Sequence, residues 1–436
     1  MVERRVILVL PAQDALIEPS MMRMTGGGRI TNRVIGAPPR SDIDTSFTPI
    51  PLADAELIPG AGSLSPRAAQ RFAVRATIDD DATMPSSTIG GVPVFSDPVI
   101  AHFPAHGCAA PIGTRADIET QLGVPSLAAR RLDGSGVAVA VMDTGISRPH
   151  LAAQGVTAAI DPTLTWSPAG GAPGCYAPDH GTMCAYDALI AAPRATLLDY
   201  PILLSTSQGG SPAAGVLSDA LQAYAHLVAV MQAPKRPFTS LVVTNSWGLY
   251  HASWDFPAGH SGRYVDNPNH PFNIIVGTLS RYRVDILFAA GNCGSGCPDP
   301  RCQGVVNHTI MGANAHPDVI TVAGVTAKGR RAGFSSQGPG IPGMVYAKPD
   351  LACFTHYLGS RALGPGEPDT GTSAACPTAA GCVAAIRTRM PQTSLAPRDL
   401  TAALVADARK HNPSGWHRDL GYGIVRPLRT AARLGL

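Results

Sequence analysis

Charge is scarce in this chain. Asp, Glu, Lys and Arg make up 15% of the 436 residues, where soluble proteins carry roughly a quarter. The net charge is only +3. No basic surface for nucleic acid is implied. Long apolar runs are missing as well. None approaches the roughly 20 residues that cross a bilayer, so no membrane span is expected. The amino-terminal apolar run, Val6 to Leu10, is soon followed by Pro11 and Asp14. It is too short for the core of a secretory leader. A cytoplasmic location is the default expectation, with export by another route left open.

Paired metal-ligand spacing is absent too. The nine cysteines include no C-x-x-C pair, and Cys293, Cys297 and Cys302 lack a clear fourth ligand. That argues against a zinc site. These three lie in a Gly/Pro-rich loop and are either disulfide-bonded or free thiols. An odd count leaves at least one cysteine outside any intramolecular bridge. Cys184, Cys376 and Cys382 fall in helical patterns, where a free cysteine is usually a small buried apolar residue. The triplet Gly26-Gly27-Gly28 has no Lys-Ser/Thr after it. It reads as a turn rather than a phosphate loop. No internal repeat is found.

What is present is alternation. Val137–Met142, Ala195–Leu204, Leu241–Thr244, Ile286–Ala290 and Val319–Thr326 read as strands. The continuous apolar run at Val137–Met142 fits a strand buried on both faces. Helical patterns lie between them at 180–192 and Pro212–Gln232, then at Ala374–Met390 and Asp399–Asp407. The expected fold is α/β with a mostly parallel central sheet in a three-layer arrangement. A smaller N-terminal α+β domain occupies residues 1–105. In it, Arg5–Leu10 and Val92–Phe103 read as outer strands, the latter interrupted at Ser96-Asp97-Pro98, and Ser65–Arg75 as a helix. Residues 106–118 read as a linker and 119–436 as the main domain. With 46 Gly and 40 Pro, the chain is compact and loop-rich.

Four polar residues stand at structurally meaningful places. Asp143 directly follows the strand Val137–Met142, at the end where open α/β sheets place their sites. His180 opens a helix after Pro178-Asp179. Asn292 ends a strand in Ala289-Ala290-Gly291-Asn292. Ser373 lies between a glycine-led turn and a helix start in Gly371-Thr372-Ser373-Ala374-Ala375-Cys376-Pro377. Free N–H groups of that first helical turn can meet an anion forming beside the hydroxyl. Each is an ordinary turn or cap residue when taken alone. Together they supply the parts of acyl transfer: a hydroxyl nucleophile, an imidazole base, a carboxylate to orient it, and oxyanion donors.

In these blocks the chain resembles the subtilisin-like serine proteases, or subtilases. The order Asp, His, Ser is theirs. The resemblance spans roughly residues 120–430 and includes Asn245-Ser246-Trp247-Gly248 and Lys348-Pro349-Asp350-Leu351. It implies a serine endopeptidase with Ser373 as nucleophile, His180 as general base and Asp143 orienting it. Asn292 and the Ser373 N–H would form the oxyanion hole. Ser246, Trp247 and Gly248 would pair with a protein or peptide substrate bound as an extended strand. Ala289, Ala290 and Gly291 would wall the S1 pocket. Trp247 either narrows a subsite or packs. No cofactor is implied for the chemistry, and structural calcium, common in the family, has no assignable ligands. Residues 1–105 sit where many subtilases carry a prodomain, an inhibitor of the cleft cleaved between about Phe103 and Arg115. A permanent regulatory domain is the competing reading.

The chain departs from the family at Met183-Cys184-Ala185-Tyr186, where His-Val-Ala-Gly is frequent, and at Ala374, where Met is common. These changes bear on packing and subsite shape. Two other classes fit the residues less well. A catalytically silent member that binds peptides or a partner would be free to lose one of the four residues, yet all are present. An esterase needs G-x-S-x-G and the order Ser, Asp, His, which this chain lacks.

Overall fold

The computed structural model describes residues 3–11, 37–52, 71–80, 82–103, 110–168, 170–204, 214–410 and 415–436. Gly26–Gly28 and residues 65–70 of the expected N-terminal helix lie outside these.

Seven parallel strands form the central sheet. Their spatial order is Leu351–Phe354, Ile320–Val325, Asp285–Ala289, Ser240–Asn245, Val137–Met142, Thr196–Tyr200 and Ala159–Ile160. The strands are apolar because both faces are covered. Alternate residues of Val137–Met142 show how. Val137, Val139 and Val141 face the cluster built with helices His180–Ala188 and Thr372–Arg387. Ala138, Ala140 and Met142 face the cluster built with helices Leu217–Gln232 and Pro271–Arg281. The period of two therefore yields three layers.

Helix Thr372–Arg387 is buried along its whole length, so nearly every position must be small or satisfied. At Gly381 an added Cβ would overlap the backbone carbonyl of Ala188. Pro377 removes the N–H that would bond the Ser373 carbonyl four residues back. That carbonyl instead accepts from Ser246 Oγ at 3.0 Å and from the Cys184 thiol at 3.5 Å. At the far end of the helix, Arg387 makes a two-pronged ion pair with Asp285 at 2.6 and 2.8 Å. Both side chains are buried.

The N-terminal residues build an antiparallel sheet in the order Ser41–Ile43, Arg71–Asp79, Glu3–Pro11, Val92–Ser96, Thr88–Ile89, with Ile50–Leu52 also on Arg71–Asp79. Three expectations change here. Residues 71–75 are strand, not helix, because Phe72, Val74, Ala76 and Ile78 alternate into one apolar face. Glu3–Pro11 is an inner strand, paired with Arg71–Asp79 on one side and Val92–Ser96 on the other. The stretch Val92–Phe103 divides between two sheets. Val92–Ser96 stays in the N-terminal sheet, while Val99–His102 crosses into a three-stranded sheet with Ala214–Val216 and Trp247–Gly248.

The crossing is fixed by helix capping. The Asp97 carboxylate accepts from the Ser218 N–H and hydroxyl at 2.7 Å each, and the Leu217 N–H donates to the Pro98 carbonyl at 3.0 Å. These groups satisfy orphan donors at the start of helix Leu217–Gln232. Residues 214–216, expected as helix, are consequently strand. Arg75 adds an ion pair to Asp219 and a hydrogen bond to Ser218 at 2.7 Å. Ile7, Val9, Ile50, Leu52 and Ala73 pack into the same core as the helices beneath them. The helix Arg115–Leu122 begins inside the stretch 106–118 that was expected to be linker, with Thr114 and Asp117 closing a capping box at its start.

Candidate active site

Asp143 leaves the strand Val137–Met142 at its carboxyl end, with its N–H on the Tyr200 carbonyl at 3.0 Å. The next residue does structural service. Thr144 Oγ1 accepts the Gly181 N–H at 2.9 Å and so seats the helix that begins at His180. Glycine is required at 181, since an added Cβ would fall 2.5 Å from the Gly145 carbonyl oxygen. His180 Nδ1 then lies 2.8 and 3.0 Å from the two Asp143 oxygens. A carboxylate accepts, so Nδ1 donates and Nε2 keeps its lone pair. Nε2 has no hydrogen-bond partner in this state.

Asn292 is oriented by the turn that opens the long helix. Its Oδ1 accepts the Thr372 N–H at 2.9 Å and the Thr372 hydroxyl at 3.1 Å. The amide Nδ2 is thereby aimed outward, and donates to the Phe103 carbonyl at 2.6 Å. Ser373 Oγ stands 2.9 Å from the same carbonyl oxygen and 3.1 Å from the Ser246 carbonyl oxygen, two acceptors that share its single hydroxyl proton. Gly371 has φ +75, and a side chain there would overlap the Phe103 oxygen. The Ser373 N–H stands in the first helical turn, where donors have no intrahelical acceptor. The four residues expected for catalysis are thus brought together and fully buried, around a carbonyl of the chain itself.

The cleft is filled by an extended strand. Trp247 and Gly248 oppose His102 and Ala101 in antiparallel register. On the other edge Ala214, Gly215 and Val216 oppose Ala101, Ile100 and Val99. The Phe103 N–H donates to the Ser246 carbonyl at 3.2 Å. Of the expected substrate-binding residues, Ser246, Trp247 and Gly248 meet this strand through their backbones. The Trp247 indole packs in the core against Phe272 and Phe288. Gly248 and Gly291 face the Phe103 ring, whose tip would be 2.7 and 3.7 Å from an added Cβ. Ala289 and Ala290 are buried in core clusters.

Sequence reasoning missed Tyr250 and Arg301. Tyr250 meets the Phe103 ring edge-on at 5.1 Å, and its hydroxyl donates to the His102 carbonyl at 2.9 Å. Arg301 lies 3.8 Å over the Tyr250 ring, donates to its hydroxyl at 2.7 Å and is paired with Asp299. The loop that carries Arg301 is closed by a disulfide between Cys293 and Cys302, and Cys297 is bridged as well. The Asp299 N–H donates to the Asn292 carbonyl at 2.9 Å. The Cys-rich loop therefore backs both Asn292 and the Tyr250 ring that meets Phe103. Its only sequence signal was its place directly after Asn292.

Burial dominates the electrostatics. It pushes Asp199, whose carboxylate takes the Gly174 and Ile146 N–H groups behind Asp143, up to about 6. Tyr250 is raised by burial, with Arg301 opposing. Cys184 is raised by burial and then by the nearby Asp143 charge. Asp143, His180 and Cys184 offer ligand atoms within 4.8 Å of one another. The donors are already engaged, however. Nδ1 serves Asp143, the thiol reaches Asp143 Oδ2 at 3.5 Å, and the raised thiol disfavours the thiolate that a metal needs.

The model of the subtilase family, peptidase S8, matches residues 134–423. The chain belongs to the subtilase family. Mycosin-4 of Mycobacterium tuberculosis is 29% identical over 333 residues, covering 72% of this subtilase and 69% of the mycosin. The crystal structure of MycP1 with its N-terminal propeptide removed superposes with a TM-score of 0.51 at 21% identity. It covers 72% of this subtilase and 96% of that chain. The subtilase is a serine-type endopeptidase with an α/β fold. Subtilases need no cofactor for catalysis. Among the described residues no helix is long and apolar enough to cross a membrane.

Proposed function

We propose that this subtilase hydrolyses peptide bonds through an acyl-enzyme formed on Ser373. His180 Nε2 takes the Ser373 proton and later returns it to the leaving amine, and Asp143 holds the imidazole and stabilises its charged form. The Asn292 amide and the Ser373 N–H stabilise the oxyanion. One observation carries the reading: a single peptide carbonyl, that of Phe103, accepts from Asn292 Nδ2 and from the Ser373 hydroxyl at once. That is the position of a bond about to be attacked.

Residues 1–105 act in this reading as an inhibitor of the domain 119–436. Support comes from the strand Val99–His102 in the cleft. The fold relative described with its propeptide removed is consistent with it. Latency then arises from occupancy, since the catalytic side chains are all in place. Large apolar or aromatic residues are the expected P1 class, after Phe103 against Tyr250, Gly248 and Gly291.

The test is labelling by a fluorophosphonate together with peptide hydrolysis, on wild type, Ser373→Ala and Phe103→Ala. One adduct is expected on wild type, formed faster on Phe103→Ala, with neither adduct nor hydrolysis from Ser373→Ala. Hydrolysis surviving in Ser373→Ala overturns the nucleophile. No adduct on either serine-containing protein overturns the enzyme reading.

A further inference from the structure

We propose that Asp187 and Asp369 share one proton, and that this shared proton is a positioning device that sets His180 against Ser373. The role in catalysis rests on the protease reading above; the shared proton does not. Asp187 lies on the helix His180–Ala188, seven residues after His180. Asp369 stands four residues before Ser373, just ahead of the turn made at Gly371. Both carboxyls are buried. Tyr357 touches both residues. Its hydroxyl donates to Asp187 Oδ1 at 2.7 Å, and its backbone pairs with that of Asp369 in both directions. Thr378, on the helix that carries Ser373, lies 3.2 Å from the same hydroxyl.

The donors around the pair show where the proton sits. Asp369 accepts at both oxygens, the Ser360 hydroxyl on Oδ1 and the Ser360 N–H on Oδ2, the latter at 2.7 Å. Asp187 accepts the Tyr357 hydroxyl on Oδ1. Its Oδ2 is buried and has no donor among the described residues. The two carboxyls are nonetheless in hydrogen-bond contact with each other. Two carboxylates cannot meet in this way, because each only accepts, and like charges so close do not both ionise. One of the two must be an acid. Asp369, with two donors, suits the carboxylate. Asp187 Oδ2 then carries the proton and donates it. Burial raises both groups, Asp369 to about 6 and Asp187 well above the usual carboxyl range.

The surroundings balance one negative charge and not two. Arg115, at the start of helix Arg115–Leu122, attracts both carboxyls. Its guanidinium also lies 4.6 Å over the Tyr186 ring and pairs with Glu119 at 2.7 Å. The other titratable groups facing the pair are the Tyr186 and Tyr357 phenols and the Cys184 thiol, all raised by burial and so uncharged. His150 reaches the same loop, with Nε2 2.8 Å from the Ser360 carbonyl. Loss of the shared proton would set two bare charges face to face. They would part, and carry with them the helix that opens on His180 and the turn that carries Ser373. A displacement of about 1 Å between reacting groups can cost about 100-fold in rate.

Three full-length proteins test this: wild type, Asp187→Asn and Asp187→Val. Asparagine keeps a donor toward Asp369 and an acceptor for Tyr357, with no proton to lose. Valine fills the space and bridges nothing. Infrared difference spectra are taken in a Ser373→Ala background at ~pH 8, where ordinary carboxyls, with pKa about 4, are ionised. Other buried acids cancel in the difference. The carbonyl stretch of an un-ionised acid should be present with Asp187 and absent with Asn. Identical spectra in that region overturn the shared proton. With Ser373 in place, kcat and KM are measured on a chromogenic peptide anilide. Asp187→Asn should match wild type, and Asp187→Val should lose about 10- to 100-fold in kcat with KM unmoved. Should Asp187→Val fail to fold, Asp187→Val with Asp369→Asn, which strands no carboxylate, replaces it with the same expected loss. A folded valine protein as fast as Asp187→Asn overturns the positioning role. So does an Asp187→Asn protein as slow as the valine one. Hydrolysis and fluorophosphonate labelling both absent from wild type would overturn the protease reading, and the catalytic role with it, while the infrared result still decides the shared proton.

Discussion

Replacing Gly248 by Ala should reshape the P1 preference without touching the reacting groups. The backbone at 248 tolerates a side chain, since its φ is not in the left-handed region. The space does not: the new Cβ would stand 2.7 Å from the tip of the Phe103 ring and 3.0 Å from Asn314 Oδ1. A phenyl ring would have to withdraw from the pocket. Full burial of a phenylalanine is worth about 1.5–3 kcal/mol, which is roughly 10- to 150-fold in kcat/KM. An alanine side chain ends short of this wall, so an Ala substrate should change less than about 3-fold. The assay is hydrolysis of two peptide anilides differing only at P1, read as the Phe-to-Ala ratio of kcat/KM. That ratio is independent of how much cleft the N-terminal strand occupies, because occupancy scales both substrates alike. A Gly248→Ala variant that hydrolyses the Ala anilide with an unchanged ratio would refute the assignment of the Phe103 seat as S1.

Asn292→Ala removes one donor from the oxyanion and should lower kcat about 10²–10³-fold with little change in KM, a range established on subtilisin and carried over from a relative; steady-state kinetics decide it. His270 is buried with Nε2 on the Ser96 carbonyl and Nδ1 accepting the Phe272 N–H, and burial lowers it to about 3. Its folded value is depressed from 6.5, so its contribution is complete above pH 6.5 and is lost as pH falls from there toward 3. In a Ser373→Ala background, the stability advantage over His270→Asn should shrink by about 2 kcal/mol between pH 7 and 5, measured by urea unfolding; a constant difference would contradict the burial argument. Arg387→Ala strands the buried Asp285 carboxylate and should cost about 3–5 kcal/mol. Arg387→Met with Asp285→Leu should recover much of that loss in thermal melts.

The docking of residues 99–103 also explains where sequence reasoning went astray. Ala214–Val216 was expected to begin a helix because apolar residues continue the helical spacing. Its pairing partner, Val99–His102, lies more than a hundred residues earlier. No local pattern reports such a contact. Val92–Phe103 reads as one broken strand, and only the capping of Ser218 by Asp97 shows that its halves serve different sheets.

The sequence by itself determined the parallel sheet, since strands buried on both faces must be continuously apolar, as at Val137–Met142. It also determined the candidate triad and Asn292, because acyl transfer needs those groups at strand and helix ends. Tertiary structure alone decided three things. It placed Tyr250 and Arg301 against one aromatic ring. It set the backbone of Trp247, rather than its indole, beside the strand. It brought the Phe103 carbonyl to Ser373. Each is a contact between segments far apart in the chain, and its register follows from the packing of whole layers rather than from local spacing.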